Sequence, residues 1–138
     1  MQTNRFDPWV EADRLGIKII REPLEGARGY TDGHSRIWVH DGLTMCEERV
    51  TLVHELCHVS LGHCGEQPPD VECMVRRLTA RWLVPWSCLV AAWGERVDVR
   101  GVAELLCITP QVVLDRISYA APHELRMLEG ALCDSRAA

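Results

Sequence analysis

The stretch TLVHELCHVSLGHC, residues 51–64, constrains the fold more than any other part of the chain, because it sets charged and polar residues inside an apolar segment. Just before it, Thr44 is followed three residues later by Glu47, which is the sequence of a capping box at a helix N-terminus. Apolar residues then recur at spacings of three and four, the period of a helix. The pattern predicts a largely buried helix from about residue 45 to Leu61, with Gly62 near its end.

Three polar residues of this helix, His54, Glu55 and His58, have the spacing of a metal site. Residues four apart lie on one face, so the two histidines can direct their nitrogens at the same ion. Glu55 lies about 100° round the helix, where a carboxylate can take a proton from a metal-bound water without binding the metal itself. A solvated polar face is the alternative, but the flanking residues are apolar, and burying these groups without partners is costly. We therefore expect a bound divalent cation.

A catalytic zinc site needs a third protein ligand and one open position. The extended pattern HExxHxxGxxH is absent, because Leu61 and Cys64 occupy its glycine and second histidine positions. Glu72 is the favoured third ligand, since it lies one turn inside the next predicted helix, whereas Asp70 is better suited to cap that helix. Cys64 and His63 remain alternatives.

The rest of the chain predicts a mostly helical α+β fold with a small antiparallel sheet near its N-terminal end. A short helix over residues 8–15 is followed by the strand IKII and by a hairpin of RGYT and RIWVH around Asp32-Gly33. A helix capped by Asp70 then stops at Pro85. A short helix over WSCLVAAW comes next, and three C-terminal helices follow it.

One domain is expected, because 138 residues that are 47% hydrophobic provide one core and too little length for two ordinary domains. We divide it into residues 1–43 as helix plus sheet, 44–85 as the metal-site helices and 86–138 as the C-terminal helices. The N-terminal residues lack the apolar core of a signal peptide, and the seven cysteines are odd in number. We expect a cytoplasmic protein with reduced, mostly buried thiols.

The charge pattern argues against a nucleic-acid or membrane partner. The formal net charge is −5, without a long run of like charge. Residues 102–117 have the outline of a helix-turn-helix, but the second helix carries one arginine, one aspartate and mainly apolar residues. We interpret these helices as packed core elements that make no direct contact with nucleic acid.

The run GYTDGHSRIWVHDGLTMCEERVTLVHELCHVSLGH resembles the ImmA/IrrE family of metallopeptidases, in which a short hairpin leads into a helix of the form RxxLxHELxHxxLGH. The similarity continues into VECMVRRLTARWLVP and covers residues 29–85. The resemblance implies a zincin-like domain with zinc ligands at His54, His58 and Glu72 and a catalytic carboxylate at Glu55. It also implies a protein partner, a helix-turn-helix repressor that such proteases cleave or inactivate.

Two positions depart from the family pattern. Val75 stands where family members usually have alanine, and Arg76 stands where they usually have an acidic or amide residue. In related zincins that acidic residue accepts a hydrogen bond from a ligand histidine, and a guanidinium group cannot do so. Another acceptor, such as a backbone carbonyl, then has to hold the imidazole, or the metal is bound weakly.

The leading interpretation is a zinc-dependent endopeptidase of narrow specificity. In this mechanism Glu55 removes a proton from a zinc-bound water, and the resulting hydroxide attacks a peptide carbonyl. Tyr30, Tyr119 and His123 are candidates to donate a hydrogen bond to the oxyanion, although a structural role is favoured for each. The alternative is a catalytically weak or inactive module that keeps the zinc fold and regulates its partner by binding.

Overall fold

The helix that carries the HELCH sequence lies at the centre of the fold. The computed structural model of the chain describes residues 6–96 and 98–137, with side chains as far as residue 130. The described residues form seven helices and three strands: α1 (Pro8–Arg14), β1 (Lys18–Glu22), β2 (Gly29–Thr31), β3 (Arg36–His40), α2 (Met45–Ser60), α3 (Pro69–Leu83), α4 (Trp86–Glu95), α5 (Val99–Leu106), α6 (Pro110–Ser118) and α7 (Pro122–Ala137). The fold is α+β and mostly helical, as the sequence predicts.

Helix α2 is buried from two sides. Its capping box is formed as predicted, since the Thr44 side chain accepts from the Glu47 backbone and the Glu47 side chain accepts from the Thr44 backbone. One face, through Leu52 and Leu56, packs with buried residues of the sheet and α1. Another face, including Val53, packs into a larger core formed with the later helices. This position between two cores explains why so apolar a helix is stable and why its polar residues are confined.

The sheet has the order β1-β3-β2 and is mixed. The prediction of an antiparallel sheet is therefore wrong for one of its two strand pairs. The predicted hairpin is correct, because Tyr30 of β2 lies opposite Trp38 in an antiparallel pair with β3. The pairing of β1 with β3 is parallel, with Ile19 opposite Ile37. The chain reverses direction twice between these strands and then inserts β3 between the other two, so β1 and β3 run the same way.

Helix α3 begins two residues earlier than expected. Its first residue is Pro69, which suits that position because a proline has no N–H to leave unpaired. Pro68 occupies the N-cap position, so the expectation that Asp70 caps the helix is wrong, and Asp70 lies in the first turn. The helix ends at Leu83, before Pro85, as predicted. The earlier start leaves Glu72 within the first turn of the helix, held by its backbone.

Helices α5, α6 and α7 belong to the large core, in agreement with their interpretation as packed elements. Val102 and Val113 are fully buried between them. Arg116, the single arginine of α6, is also buried, where it donates to the Val84 carbonyl and forms an ion pair with Glu124 of α7. The basic residue that a recognition helix would present to phosphates is therefore used inside the fold.

The cysteines are less buried than expected. The six whose side chains are described are free thiols, and of these six only Cys57 is buried. The expectation that most of them pack as small hydrophobic residues is thus wrong for this part of the chain.

Among the described residues, no helix combines the length and the apolar character needed to span a membrane.

Candidate metal centre

The two histidines of α2 converge at one point. They lie one helical turn apart, and their Nε2 atoms are 3.3 Å from each other. The His54 ring has 23% of its surface exposed and the His58 ring 6%, so both sit at the wall of the core with one open side. The helical spacing therefore does what the sequence predicted, and both imidazoles present a nitrogen to the same space.

Glu72 reaches this point from α3. Its Oε2 lies 3.1 Å from His54 Nε2 and its Oε1 lies 3.2 Å from His58 Nε2. For a zinc ion about 2.0–2.1 Å from each ligand, the corners of a tetrahedron are about 3.3 Å apart. The three separations are close to that spacing, although they join four atoms because Glu72 approaches the two rings with different oxygens. His54, His58 and Glu72 can each direct one ligand atom to the same place, which makes them a candidate set of three metal ligands.

Burial prepares the two histidines to act as ligands. Desolvation lowers the pKa of both His54 and His58, and each is lowered further by a neighbouring imidazole. The Glu72 carboxylate opposes this effect but does not cancel it. A lowered pKa keeps the imidazoles neutral at neutral pH, which is the state in which a ring nitrogen can bind a metal.

Glu55 lies beside the three converging groups and is buried. Desolvation raises the pKa of its carboxyl to about 8, and the nearby charge of Glu72 adds to the rise. A divalent cation at the neighbouring ligands would favour the ionised form instead. The protonation of the Glu55 carboxyl therefore depends on the charge of the groups beside it, which is what a carboxylate that transfers protons requires.

A glycine allows the sheet to approach this helix. A Cβ atom at Gly29 of β2 would lie 2.6 Å from Thr51 Cγ2 and 2.9 Å from the Trp38 carbonyl oxygen. Any larger residue would push β2 away from α2. Because β2 is an edge strand of the sheet that the described residues form, this close contact brings the outer edge of the sheet alongside Glu55.

Two cavities flank Glu55 and His54. The first, of about 440 Å³, is also lined by His58 and Glu72 and by the three residues of β2, with Tyr30 stacked on Trp38 at 4.7 Å. The second, of about 340 Å³, extends toward α6 and is lined by Arg76, Asp115 and others. A chain that lies across the centre would therefore find a recess on each side of it.

The structure brings four of the residues singled out by sequence together at one centre and places Tyr30 on the wall of the same cavity. His54, His58 and Glu72 converge, and Glu55 lines the same cavity. Cys64 and Asp70, which were alternatives for the third ligand, are not among the converging atoms of the described residues. Tyr119 lies elsewhere, with its hydroxyl 3.3 Å from Cys73 Sγ.

Two features of the site were missed by sequence reasoning. His63 was weighed only as a ligand, but its Nδ1 lies 3.0 Å from Nδ1 of His58, on the opposite side of that ring from the centre. Arg76 pairs with Asp115 of α6 at 2.7 Å, which places a C-terminal helix beside the site. The histidine of the LGH sequence at the end of the helix could have indicated the first feature. No residue near Asp115 in the sequence could have indicated the second.

Comparison with protein families identifies the group to which this centre belongs. The model of the IrrE N-terminal-like domain, Peptidase M78, matches residues 12–92, which is more than half of the chain and includes every converging residue. The chain is a member of the Peptidase M78 family. Comparisons with curated proteins and with solved structures give no match. The Peptidase M78 assignment and the His-His-Glu geometry together describe a metallopeptidase-like domain with a candidate metal site.

Proposed function

We propose that this Peptidase M78 domain is a zinc-dependent endopeptidase of narrow specificity. The observation that carries the proposal is the convergence of two imidazoles and one carboxylate on a single place, with Glu55 beside them in one cavity. Two imidazoles, one carboxylate and a free fourth position form the ligand set of catalytic zinc in hydrolases. A closed structural site would instead fill the fourth corner with a further protein ligand.

The residues around the centre have separate tasks in peptide hydrolysis. A zinc ion bound there would supply Lewis acidity, which makes water more acidic and polarises a carbonyl. His54, His58 and Glu72 would hold that ion. Glu55 takes the proton of the attacking water and passes it to the leaving amine, so the same carboxyl acts first as a base and then as an acid.

The edge of the sheet favours an extended peptide as the substrate. Gly29, Tyr30 and Thr31 line the same cavity as the metal ligands, and their outer edge has no neighbouring strand among the described residues. A peptide that pairs with β2 would be held by main-chain hydrogen bonds beside Glu55. Recesses on both sides of Glu55 suit cleavage within a chain better than removal of a terminal residue.

A helix-turn-helix repressor is the substrate class that we propose. The support for this target is the resemblance to proteases that act on such repressors, together with a cleft that accepts an extended segment. Cleavage of a repressor would make the domain a regulator of gene expression without any contact between the domain and nucleic acid. A cytoplasmic location is part of the same proposal, because the target acts there.

The test is the substitution Glu55→Gln, examined for cleavage of a helix-turn-helix repressor from the same genome after co-expression. The expected result is a fall of about 10²–10⁴-fold in cleavage rate while the zinc content of the protein is unchanged. Mass spectrometry of the repressor fragments would locate the cleaved bond. Glu129→Gln, on the exposed surface of α7, is the matched control and should cleave like the wild type.

The outcome of this substitution also separates hydrolysis from binding. If Glu55→Gln still relieves repression as the wild type does, the domain acts as a zinc-containing binding module. If the same fragments appear at the same rate with the variant, the proposed role of Glu55 is wrong.

A further inference from the structure

The last turn of α2 ends in a motif that determines where His63 lies. The Gly62 N–H donates to the Val59 carbonyl at 3.1 Å, and the His63 N–H donates to the His58 carbonyl at 2.9 Å. Gly62 has φ +72°, the left-handed conformation that glycine adopts most easily. These two hydrogen bonds and this conformation define a Schellman motif, with His58 and His63 at its two ends.

In a Schellman motif the side chains of these two end positions commonly touch through an apolar contact. In this chain both positions are histidines, and the contact is polar. The two Nδ1 atoms are 3.0 Å apart and the ring centroids 5.3 Å apart. The helix end therefore delivers a hydrogen-bonding partner to the one nitrogen of His58 that faces away from the candidate metal centre.

The roles of the two nitrogens follow from their surroundings. His58 Nε2 faces His54 and Glu72, so binding an ion there requires its lone pair. A neutral imidazole then carries its proton on Nδ1, which makes His58 Nδ1 the donor and His63 Nδ1 the acceptor. A partner of this kind fixes both the tautomer and the ring orientation of a metal-binding histidine.

The backbone of His63 is held on its other side by the β2–β3 turn. A Cβ atom at Gly33 would lie 2.6 Å from the His63 carbonyl oxygen, so the turn packs directly on this residue. The turn is itself fixed by Asp32, whose Oδ1 accepts from the backbone N–H groups of His34, Ser35 and Arg36. His63 thus lies between a helix end and a rigid turn.

We propose that His63 is a positioning residue that accepts a hydrogen bond from His58 Nδ1 and holds His58 Nε2 toward the metal. It fills the role left open by Arg76, whose guanidinium pairs with Asp115. The inference rests on the zinc site of the proposed function, but it concerns metal affinity and does not require that the domain hydrolyses anything.

The test compares His63→Leu with His63→Asn by competition for zinc against a chelator. Leucine keeps an apolar contact for the Schellman motif and removes the acceptor, so zinc affinity should fall about 10–100-fold. Asparagine places Oδ1 at the same number of bonds from the backbone as Nδ1 of histidine, so it should restore affinity to within about 3-fold of the wild type. His123→Leu, on the exposed surface of α7, should leave zinc affinity unchanged.

Two further measurements separate positioning from a general loss of structure. Thermal unfolding of zinc-free His63→Leu should match that of the wild type, because the motif and its contact are retained. Nitrogen NMR of zinc-loaded wild type should show the proton of the His58 ring on Nδ1, and this measurement decides the question even if the leucine variant does not fold.

Distinct results would overturn the inference. Zinc binding by His63→Leu that equals the wild type, or binding by His63→Asn as weak as that of the leucine variant, refutes the positioning role alone. A His58 ring without a proton on Nδ1 in the zinc-loaded protein does the same. A wild-type protein without zinc affinity refutes the proposed function as well. The cleavage measured with Glu55→Gln tests the proposed function only and does not test the role of His63.

Discussion

Two clusters of buried or half-buried polar side chains, Arg116 with Glu124 and His54 with His58 and Glu72, differ in the charges and hydrogen-bonding groups that they combine. In the first, Arg116 of α6 donates to both oxygens of Glu124 and to the Val84 carbonyl, so each of its three guanidinium nitrogens has an acceptor. In the second, the ring nitrogens of His54 and His58 converge with the carboxylate of Glu72, and each of the three residues can offer one ligand atom to a metal ion. The first cluster pairs a cation of the chain with an anion, whereas the second consists of groups that are all potential metal ligands.

This difference shows how a structural polar cluster can be distinguished from a metal site. A bidentate Arg–carboxylate pair satisfies the hydrogen-bonding groups of both partners and joins α6 to α7. The two imidazoles and the Glu72 carboxylate can hydrogen-bond to one another without a metal, but a divalent cation bound by all three groups would add its binding free energy to the stability of the fold. The comparison predicts that zinc will affect the second cluster strongly and the first one not at all.

The largest expected effect is stabilisation by zinc. At free zinc about 1,000 times the dissociation constant, the free energy of unfolding should rise by about 4 kcal/mol relative to the zinc-free protein. Denaturant unfolding with and without zinc measures this rise. Glu72→Ala, which removes the third ligand, should lose most of it.

The control for this experiment is Asp70→Ala, which removes a carboxylate from the same helical turn of α3 but outside the cluster. This variant should respond to zinc as the wild type does. Equal stabilisation of Glu72→Ala and of the wild type would show that Glu72 is not a ligand, and the contrast between the two clusters would then lose its basis.

The second effect concerns the Arg116–Glu124 ion pair. Glu124→Gln leaves the buried Arg116 charge without its counter-ion, so it should lower the free energy of unfolding at pH 7 by about 2 kcal/mol, with or without zinc. Glu129→Gln, on the exposed surface of the same helix, should change it by less than about 0.5 kcal/mol. A zinc-dependent response of Glu124→Gln would contradict the separation of the two clusters.

The pH dependence of this ion pair has a definite sign. The hydrogen bonds from Arg116 lower the pKa of Glu124 from 4.5 to about 2 in the folded protein. A lowered folded-state pKa means that the contribution is fully present above pH 4.5 and is lost as the pH falls toward 2. The difference in unfolding free energy between wild type and Glu124→Gln should therefore shrink over that interval.

The positions of the main elements could be predicted because their signals are local. The Thr44–Glu47 capping box, the turn at Asp32-Gly33 and the proline after α3 each act on the residues next to them. The direction of β1 could not be predicted in the same way. It depends on two chain reversals and on the insertion of β3 between its neighbours, which no single strand sequence records.

The same distinction applies to the candidate site. His54 and His58 converge because they share one helix, so their spacing alone was sufficient. Glu72 required the packing of α3 on α2, and the sequence could only rank it above its rivals. The Arg76–Asp115 pair joins residues from two helices far apart in the chain, and a family pattern based on position 76 alone could not reveal its partner.

The smallest expected effect tests whether the cluster of His54, His58 and Glu72 contributes to stability before zinc binds. Glu72 is 38% exposed, and its contacts in the zinc-free protein are hydrogen bonds to imidazoles whose lowered pKa keeps them neutral. Glu72→Gln keeps the shape and an acceptor oxygen, so the free energy of unfolding without zinc should change by less than about 0.5 kcal/mol. Chemical denaturation in the presence of a chelator measures it. A loss as large as that expected for Glu124→Gln would mean that Glu72 stabilises the fold without a metal. The two clusters would then contribute to stability alike.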